Sequence, residues 1–219
     1  MKNHLGIDPD DLDDILIKIQ NSFGFEFKKE DFFDGMTYGQ LVDCISNRIT
    51  LQHIDDCTSQ QAFYKLREAL VTAGITEKEN IMPDALLEDI FGKQNRKQSV
   101  NKVRKLLGFD FYIFALPAYI GWPVAIVIIA SLIGLFFSWK FIYGIAIAIA
   151  VLYISTKVNS KFGYKTIRQL VNSLVETNYT KLRRNPGTYN KYEAVQMVRS
   201  IFLDYGFEEE ELTPDAVVI

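Results

Sequence analysis

Cysteine and histidine are scarce, with two of each among 219 residues. Cys44 and Cys57 each lie in or beside a helical pattern, so we expect free thiols and no disulfide. His4 and His53 are isolated, without the spacing of metal ligands. The sequence also lacks a Gly-rich phosphate loop, a His–Cys pair and a nucleophile elbow. We therefore expect no catalytic residue, no metal and no cofactor, and predict that the chain is not an enzyme.

Basic residues are not in excess, since the formal net charge is -3. No surface of interleaved basic and aromatic residues is evident, which argues against nucleic-acid binding. Several aspartates between residues 8 and 14 could suggest a calcium loop, but Leu12 and Ile19 stand where an EF-hand needs oxygen ligands. These carboxylates are better explained as the acidic start of a helix, where they complement its dipole.

Charge is almost absent from residues 111–156, where Lys140 is the single ionisable side chain among Lys, Arg, Asp, Glu and His. A bilayer core of about 30 Å needs roughly 20 apolar helical residues. We therefore predict a transmembrane hairpin over 111–156. Because Pro117 and Pro123 interrupt the first part, residues 109–121 are interpreted as an entry segment and 122–138 as the first crossing.

The predicted hairpin turns at residues 138–140 and returns over 141–156. Amphipathic side chains near the ends of the two spans are typical of membrane interfaces, and they are Trp122, Trp139, Lys140, Tyr143 and Tyr153. Gly144 and Ala148 are small residues four apart, which predicts close helix packing, with the first span as the expected neighbour.

Basic residues cluster on both sides of the predicted hairpin. By the positive-inside rule, both polar arms and both termini are expected to be cytoplasmic, in a two-span multi-pass protein of a bacterial inner membrane. Several of these cations could contact lipid headgroups, although a solvated helix face explains them equally well. They are Lys102, Arg104, Lys105, Lys157 and Lys161.

The polar arms contain an internal repeat. Residues 23–27 (FGFEF) match 107–111 (LGFDF), and residues 37–43 (TYGQLVD) match 166–172 (TIRQLVN). In both copies an amphipathic helix ends at a Gly, and a second helix follows. Residues 28–34 join these helices in the first copy, whereas the whole hairpin occupies that place in the second.

Another pair of segments also repeats. Residues 63–75 match 195–207, and the Pro-Asp-Ala of 83–85 matches that of 214–216. Each copy is therefore predicted to contain an opening helix, a Pro-Asp loop, a central helix and a third helix.

This pattern, with the sequence Leu5-Gly6-Ile7-Asp8-Pro9, resembles the acyl carrier protein family. In that family a Leu-Gly-x-Asp-Ser-Leu motif carries a phosphopantetheine arm on its Ser. Pro9 occupies the position of that Ser and has no hydroxyl, so the resemblance implies a carrier-like fold without the carrier chemistry. The second copy has Gly92-Lys93-Gln94-Asn95 there, again without a Ser, and Ser99 lies too far into the helix.

The predicted fold class is all-α, with two small carrier-like helical bundles and a two-helix transmembrane hairpin. The resemblance implies a circularly permuted order. One bundle combines residues 1–50 with 190–219, and the other combines 60–111 with 160–180. Residues 181–189, which are basic and end in Asn-Pro-Gly, are predicted to be a linker, although they could also clasp a phosphate or a headgroup.

The function expected from these features is a membrane-anchored, noncatalytic docking or adaptor module without a phosphopantetheine arm. Its expected partners are a lipid bilayer and an unknown protein. The alternative is an oligomeric membrane hairpin that acts as a small pore or a transporter accessory, with the chain as a homo-oligomer. Gly144 and Ala148 motivate this alternative, since small residues allow helices of different copies to pack.

Overall fold

A computed structural model describes residues 4–219, with the side chains of 118 and 156–158 left out. The chain is mostly helical, which confirms the all-α class. Its α helices are α1 Pro9–Phe23, α2 Tyr38–Arg48, α3 Thr58–Thr72, α4 Leu87–Phe91, α5 Arg96–Leu107, α6 Ala118–Gly134, α7 Ile142–Val158, α8 Ile167–Leu182 and α9 Lys191–Asp204. Short 3-10 helices occur at Lys29–Asp31, Lys78–Asn80 and Trp139–Phe141.

Two short strands, β1 Gln52–His53 and β2 Thr188–Tyr189, pair in parallel. The chain divides into two compact units, one formed by Met1–Glu68 with Val171–Ile219 and the other by Ala69–Leu170. Cys44 and Cys57 are free thiols, as predicted.

The start, the end and the buried face of helix α1, in the first unit, follow from its sequence. The Asp8 side chain caps the helix by accepting a hydrogen bond from the Asp10 amide at 2.9 Å, and Pro9 is the first helical residue. Proline suits this position because its missing N–H would have no intrahelical partner there. The helix ends at Gly24, whose φ of 71° is left-handed and favours glycine. Its buried side chains are Ile15, Leu16, Ile19, Ser22 and Phe23.

The core of the first unit also contains α2, α9 and the segment after α9. Tyr38 and Phe202 pack edge to face with ring centroids 5.3 Å apart. The Leu5 amide donates to the Val217 carbonyl at 3.0 Å, and the Tyr38 amide donates to Ala216 at 2.8 Å. Residues near both ends of the sequence therefore belong to one compact unit.

The second unit repeats this backbone pairing. The Ile167 amide donates to Ala85 at 3.0 Å, as Tyr38 does to Ala216 in the first unit. Helix α5 ends at Gly108 with φ 78°, as α1 ends at Gly24. The match between the two copies of the sequence is therefore accompanied by the same local hydrogen bonds.

Helices α6 and α7 form a hairpin within the second unit. The segments that enter and leave it are paired, since the Gly163 amide donates to Ile113 at 2.8 Å and the Ala115 amide donates to Lys161 at 3.1 Å. Phe114 stacks on Phe162 with centroids 5.4 Å apart. This pairing holds the chain extended before α6, so the helix begins only after Pro117.

The predicted transmembrane spans are wrong, because no helix in the described part of the chain is both long enough and apolar enough to cross a membrane. The run from Phe111 to Phe137 is extended at its beginning and its helix stops at Gly134, so α6 has 17 residues. At a rise of 1.5 Å per residue this is about 26 Å, short of a bilayer core of about 30 Å. The two-span inner-membrane topology with cytoplasmic termini is therefore wrong as well.

Candidate functional site

The two positions that the predicted resemblance matches to the carrier Ser have no hydroxyl. Pro9 is exposed and opens α1. In the second unit, Asn95 precedes α5 in a left-handed conformation with φ 54°, and Ser99 lies inside α5. Neither helix start can therefore form the phosphodiester of a phosphopantetheine arm.

The residues predicted to lie at a membrane interface are exposed on the hairpin. Trp122, Trp139, Tyr143 and Tyr153 expose 73%, 67%, 59% and 63% of their surface, and Lys140 is exposed at the turn. Trp139 and Tyr143 contact each other, with centroids 5.9 Å apart. These side chains are part of an apolar surface that the described chain leaves uncovered.

The small residues of α7 face α6 of the same hairpin. Gly144 lies so close to Ser131 that a Cβ would collide with its hydroxyl. Ala148 is 2% exposed and Ser131 5%. Since this face is occupied within the chain, Gly144 and Ala148 are not available to pack against another copy.

Three of the predicted headgroup contacts come together. Lys102, Arg104 and Lys105 line an open cavity of about 770 Å³ beside α5, together with Asp110. The Arg104 guanidinium donates to the Phe111 carbonyl, with Nε at 2.9 Å. Basic side chains near the end of a helix complement its dipole without any ligand. Lys161 is exposed and does not line this cavity, and the side chain of Lys157 lies outside the described residues.

A polar network in the first unit was missed by the sequence reasoning. Its centre is Arg183, which belongs to the segment predicted to be a linker and whose side chain is 0% exposed. The guanidinium forms an ion pair with Asp56, and it donates to the hydroxyls of Thr58 at 2.5 Å and Thr188 at 3.0 Å. Glu193 lies 4.0 Å from the same guanidinium.

Glu193 links this network to α3 and α8. Its two carboxylate oxygens accept from the Thr58 amide at 2.9 Å, and one accepts from the Tyr179 hydroxyl at 3.3 Å. Tyr179 is 0% exposed, and burial raises the pKa of its hydroxyl. The network thus holds its polar groups around a fully buried guanidinium, whereas the Asp56 and Glu193 side chains remain 44% and 25% exposed.

A second cluster lies on the same side of α8. Lys18 is 3.4 Å from Glu176 and 3.3 Å from Asp204. Burial raises the pKa of Glu176, aided by Asp204 and opposed by Lys18. For Lys18, burial lowers the pKa, but the two carboxylates outweigh it and raise the pKa above its usual value. The charged form of Lys18 is therefore stabilised, whereas Lys18 does not fully compensate for the burial of the Glu176 carboxylate.

Between these clusters lies the α8–α9 cleft, a cavity of about 460 Å³. Such a volume is in the range of small-ligand sites. Helix α8 departs from helical geometry beside it, at Asn178 with φ -142° and ψ 38°. The cleft is lined by Ser59, Asn172, Val175, Glu176, Tyr179, Tyr192, Glu193, Gln196, Met197 and Ser200.

No sequence signal identifies this cleft. Arg183 and Asp56 are 127 positions apart, so their pairing depends on the tertiary fold. The described residues contain no group of three or more His, Cys, Asp or Glu side chains that could hold a metal ion. The arrangement offers hydrogen bonding and negative charge, without a paired nucleophile and base.

Compared with known proteins, the chain matches no protein-family model, no curated protein and no solved structure.

Proposed function

We propose that the chain is a noncatalytic docking or adaptor module built from two carrier-like helical bundles without a phosphopantetheine arm. The observation that carries this proposal is Pro9, which opens an intact, capped helix at the position where a carrier protein has its Ser. The helix is retained, whereas the Ser hydroxyl that would hold the phosphopantetheine arm is absent. A frame of this kind can still present surfaces to a protein partner.

The repeated backbone pairing supports two bundles of the same type. In both copies the third helix starts with a Thr whose hydroxyl accepts from the amide of a Gln three residues later, at 3.4 Å for Thr37 and 3.3 Å for Thr166. In both, the opening helix is followed by a left-handed Gly, Gly206 or Gly74. These matches are the pattern expected of a duplicated domain.

Intact-mass measurement after incubation with a phosphopantetheinyl transferase tests the proposal. The natural chain is expected to gain no mass, because Pro9 has no side-chain hydroxyl that could attack the phosphopantetheine donor. Gain of one arm would refute the noncarrier function. Pro9→Ser supplies a matched variant, and modification of this variant alone would locate the lost carrier site at the start of α1.

A second candidate function, self-assembly through the hairpin, is favoured by the exposed apolar surface. Phe136, Phe137 and Trp122 are 90%, 84% and 73% exposed. At roughly 150–250 Å² per aromatic side chain, these three alone expose about 370–620 Å². Many aliphatic residues on α6 and α7 add to this area, including Ile129 and Ile147 at 58% and 62%. A stable interface buries about 800 Å² per partner, so the hairpin is large enough for one.

Sedimentation of the full chain tests self-assembly. Ile129→Lys with Ile147→Lys places two charges on the outer hairpin surface and is expected to convert oligomers to monomers. Phe33→Lys is a matched control, because Phe33 is also exposed, at 51%, but lies outside the hairpin. A monomeric natural chain, or an oligomer insensitive to the double substitution, would contradict this candidate.

A further inference from the structure

The charged side chains that line the α8–α9 cleft are all negative. Its ten lining residues include two carboxylates, Glu176 and Glu193, and no Lys, Arg or His. Both glutamates are partly buried, where an uncompensated charge costs more than it would in water. The charge balance around each glutamate therefore decides what the cleft can bind.

The cations behind the cleft do not neutralise these carboxylates. Lys18 is shared between Glu176 and Asp204, so this cluster keeps one negative charge. Arg183 is shared between Glu193 and Asp56, with the same result. Both cations are held by several contacts and cannot turn to a ligand without breaking them. The lining is thus preorganised as a negative surface.

The rest of the lining is suited to an apolar chain. Val175 and Met197 are 8% and 5% exposed, and Tyr179 forms an aromatic wall. Tyr192 contacts His53 with ring centroids 6.1 Å apart but is 70% exposed, so the exposed part of its ring can cover a ligand or face a cation. Asn172, Gln196 and Ser59 supply hydrogen-bond acceptors without positive charge.

We infer that the α8–α9 cleft binds an organic cation, namely an alkylammonium group with its carbon chain against Val175 and Met197 and its charge toward Glu176 and Glu193. The group can belong to a free amine or to a lysine side chain of a docking partner. Such a ligand would offset one of the two negative charges that the clusters leave. The site is independent of the arm position at Pro9 and of the hairpin, so the inference goes beyond the proposed function.

Calorimetric titration of the full chain with hexylamine tests this inference. Hexylamine is expected to bind. The controls 1-hexanol and hexanoate have the same carbon chain without the positive charge, and both are expected to bind at least about tenfold more weakly. The reason is that one buried charge-assisted contact is worth about 1.4 kcal/mol or more. Equal binding of hexylamine and 1-hexanol would overturn the inference, as would no binding of hexylamine.

A pair of substitutions at Gln196 locates the bound amine. Gln196 is exposed and lines the cleft, so its replacement leaves the core intact. Gln196→Lys is expected to weaken hexylamine binding and Gln196→Glu to strengthen it, each by up to about fivefold, as for a surface ion pair of up to about 1 kcal/mol. Equal affinities in the two variants would place the amine elsewhere, for example on the apolar hairpin, and would overturn the inference.

The source of the cation is distinguished by a second ligand, the blocked tripeptide acetyl-Ala-Lys-Ala-amide. Tighter binding of the peptide than of hexylamine would assign the cleft to a lysine of a protein partner. Tighter binding of hexylamine would assign it to a free amine. Failure of both ligands to bind would overturn the inference without affecting the noncarrier proposal, which rests on the start of α1.

Discussion

The two copies of the repeated segment keep the same backbone pairing but differ in charge and in what is inserted between their helices. Helix α1 carries Asp10, Asp11, Asp13, Asp14 and Lys18, whereas α5 carries Arg96, Lys97, Lys102, Arg104 and Lys105. A short loop containing Lys29–Asp31 follows the first, and the α6–α7 hairpin follows the second.

This difference shows which residues set the fold. A left-handed Gly after the central helix, a Thr cap and a few buried apolar side chains are common to both copies, and the same local pairing accompanies them in each. The exposed faces and the insert carry no such constraint. Functional differences between the copies are therefore expected in the faces and the insert, and the shared positions are expected to contribute to stability.

The largest loss of stability is expected when Arg183 is replaced. No counterpart of its polar network occurs among the described residues of the second unit. Arg183→Met would leave Asp56 and Glu193 without their shared cation. The Asp56 and Glu193 side chains are 44% and 25% exposed, so water offsets part of their lost pairing, and the loss comes mainly from the buried hydrogen bonds to Thr58 and Thr188. At about 1.5–3 kcal/mol for each hydrogen bond to a charged group, the expected loss is about 3–6 kcal/mol, and urea unfolding followed by circular dichroism should show it. The neighbouring Arg184 is exposed, so Arg184→Met is the matched control and should change stability by less than about 0.5 kcal/mol. Similar losses in both variants would contradict the role of the network.

Equivalent core positions give the most direct comparison of the copies. Leu41 and Leu170 occupy the same repeat position and are 0% and 1% exposed. Leu→Ala at either position should cost about 2–5 kcal/mol through lost apolar burial and the cavity left behind. If the two copies are equivalent, the two losses, measured by urea unfolding, agree within about 1 kcal/mol.

Leu86 is a suitable control for this pair, since it is 48% exposed within the second unit. Leu86→Ala should be nearly neutral. A full loss for Leu41→Ala combined with a negligible loss for Leu170→Ala would show that the sequence repeat does not extend to the packing.

Removing the side-chain caps of α2 and α8 should cost less stability. Thr37→Ala and Thr166→Ala each remove a hydroxyl that accepts from a Gln amide, and the expected loss is about 1 kcal/mol in each copy. Thr→Ser at the same positions retains the hydroxyl and should retain most of the stability. Thermal unfolding of the four variants measures both differences, and an equal loss for Ser and Ala would show that the hydroxyl is not the stabilising group.

The helical framework could be predicted because its causes are local. The end of α1 at Gly24 and the cap at Thr37 follow from residues within one turn. The sequence predicts the hairpin as a pair of apolar segments, but the first helix, α6, spans 118–134 and not the predicted 122–138. Long-range pairing of residues 113–115 with 161–163 holds the chain extended before α6, and hydropathy alone contains no information on such pairing.

The α8–α9 cleft was not predictable for a related reason. Its polar groups come from α3, α8 and α9, with α1 behind them, and each group alone resembles an ordinary surface residue. The sequence around Arg183, which ends in Asn-Pro-Gly, favours a linker when only neighbours in sequence are considered. Only the fold brings Asp56 and Glu193 to it and makes burial of the guanidinium favourable.

The smallest expected effect concerns the pH dependence of stability through Glu176. Because burial raises its pKa above the usual 4.5, the folded protein binds a proton at this carboxyl at pH values where the unfolded chain has lost it. The contribution of Glu176 to stability is therefore fully present below pH 4.5 and is lost as the pH rises through the raised pKa. Glu176→Gln cannot ionise, so the stability of the natural chain relative to this variant should fall across that range and then level off.

Urea unfolding of both proteins at intervals from pH 4 to pH 8 measures the difference. A difference that rises with pH would mean that Lys18 outweighs burial and holds the Glu176 carboxylate in its charged form.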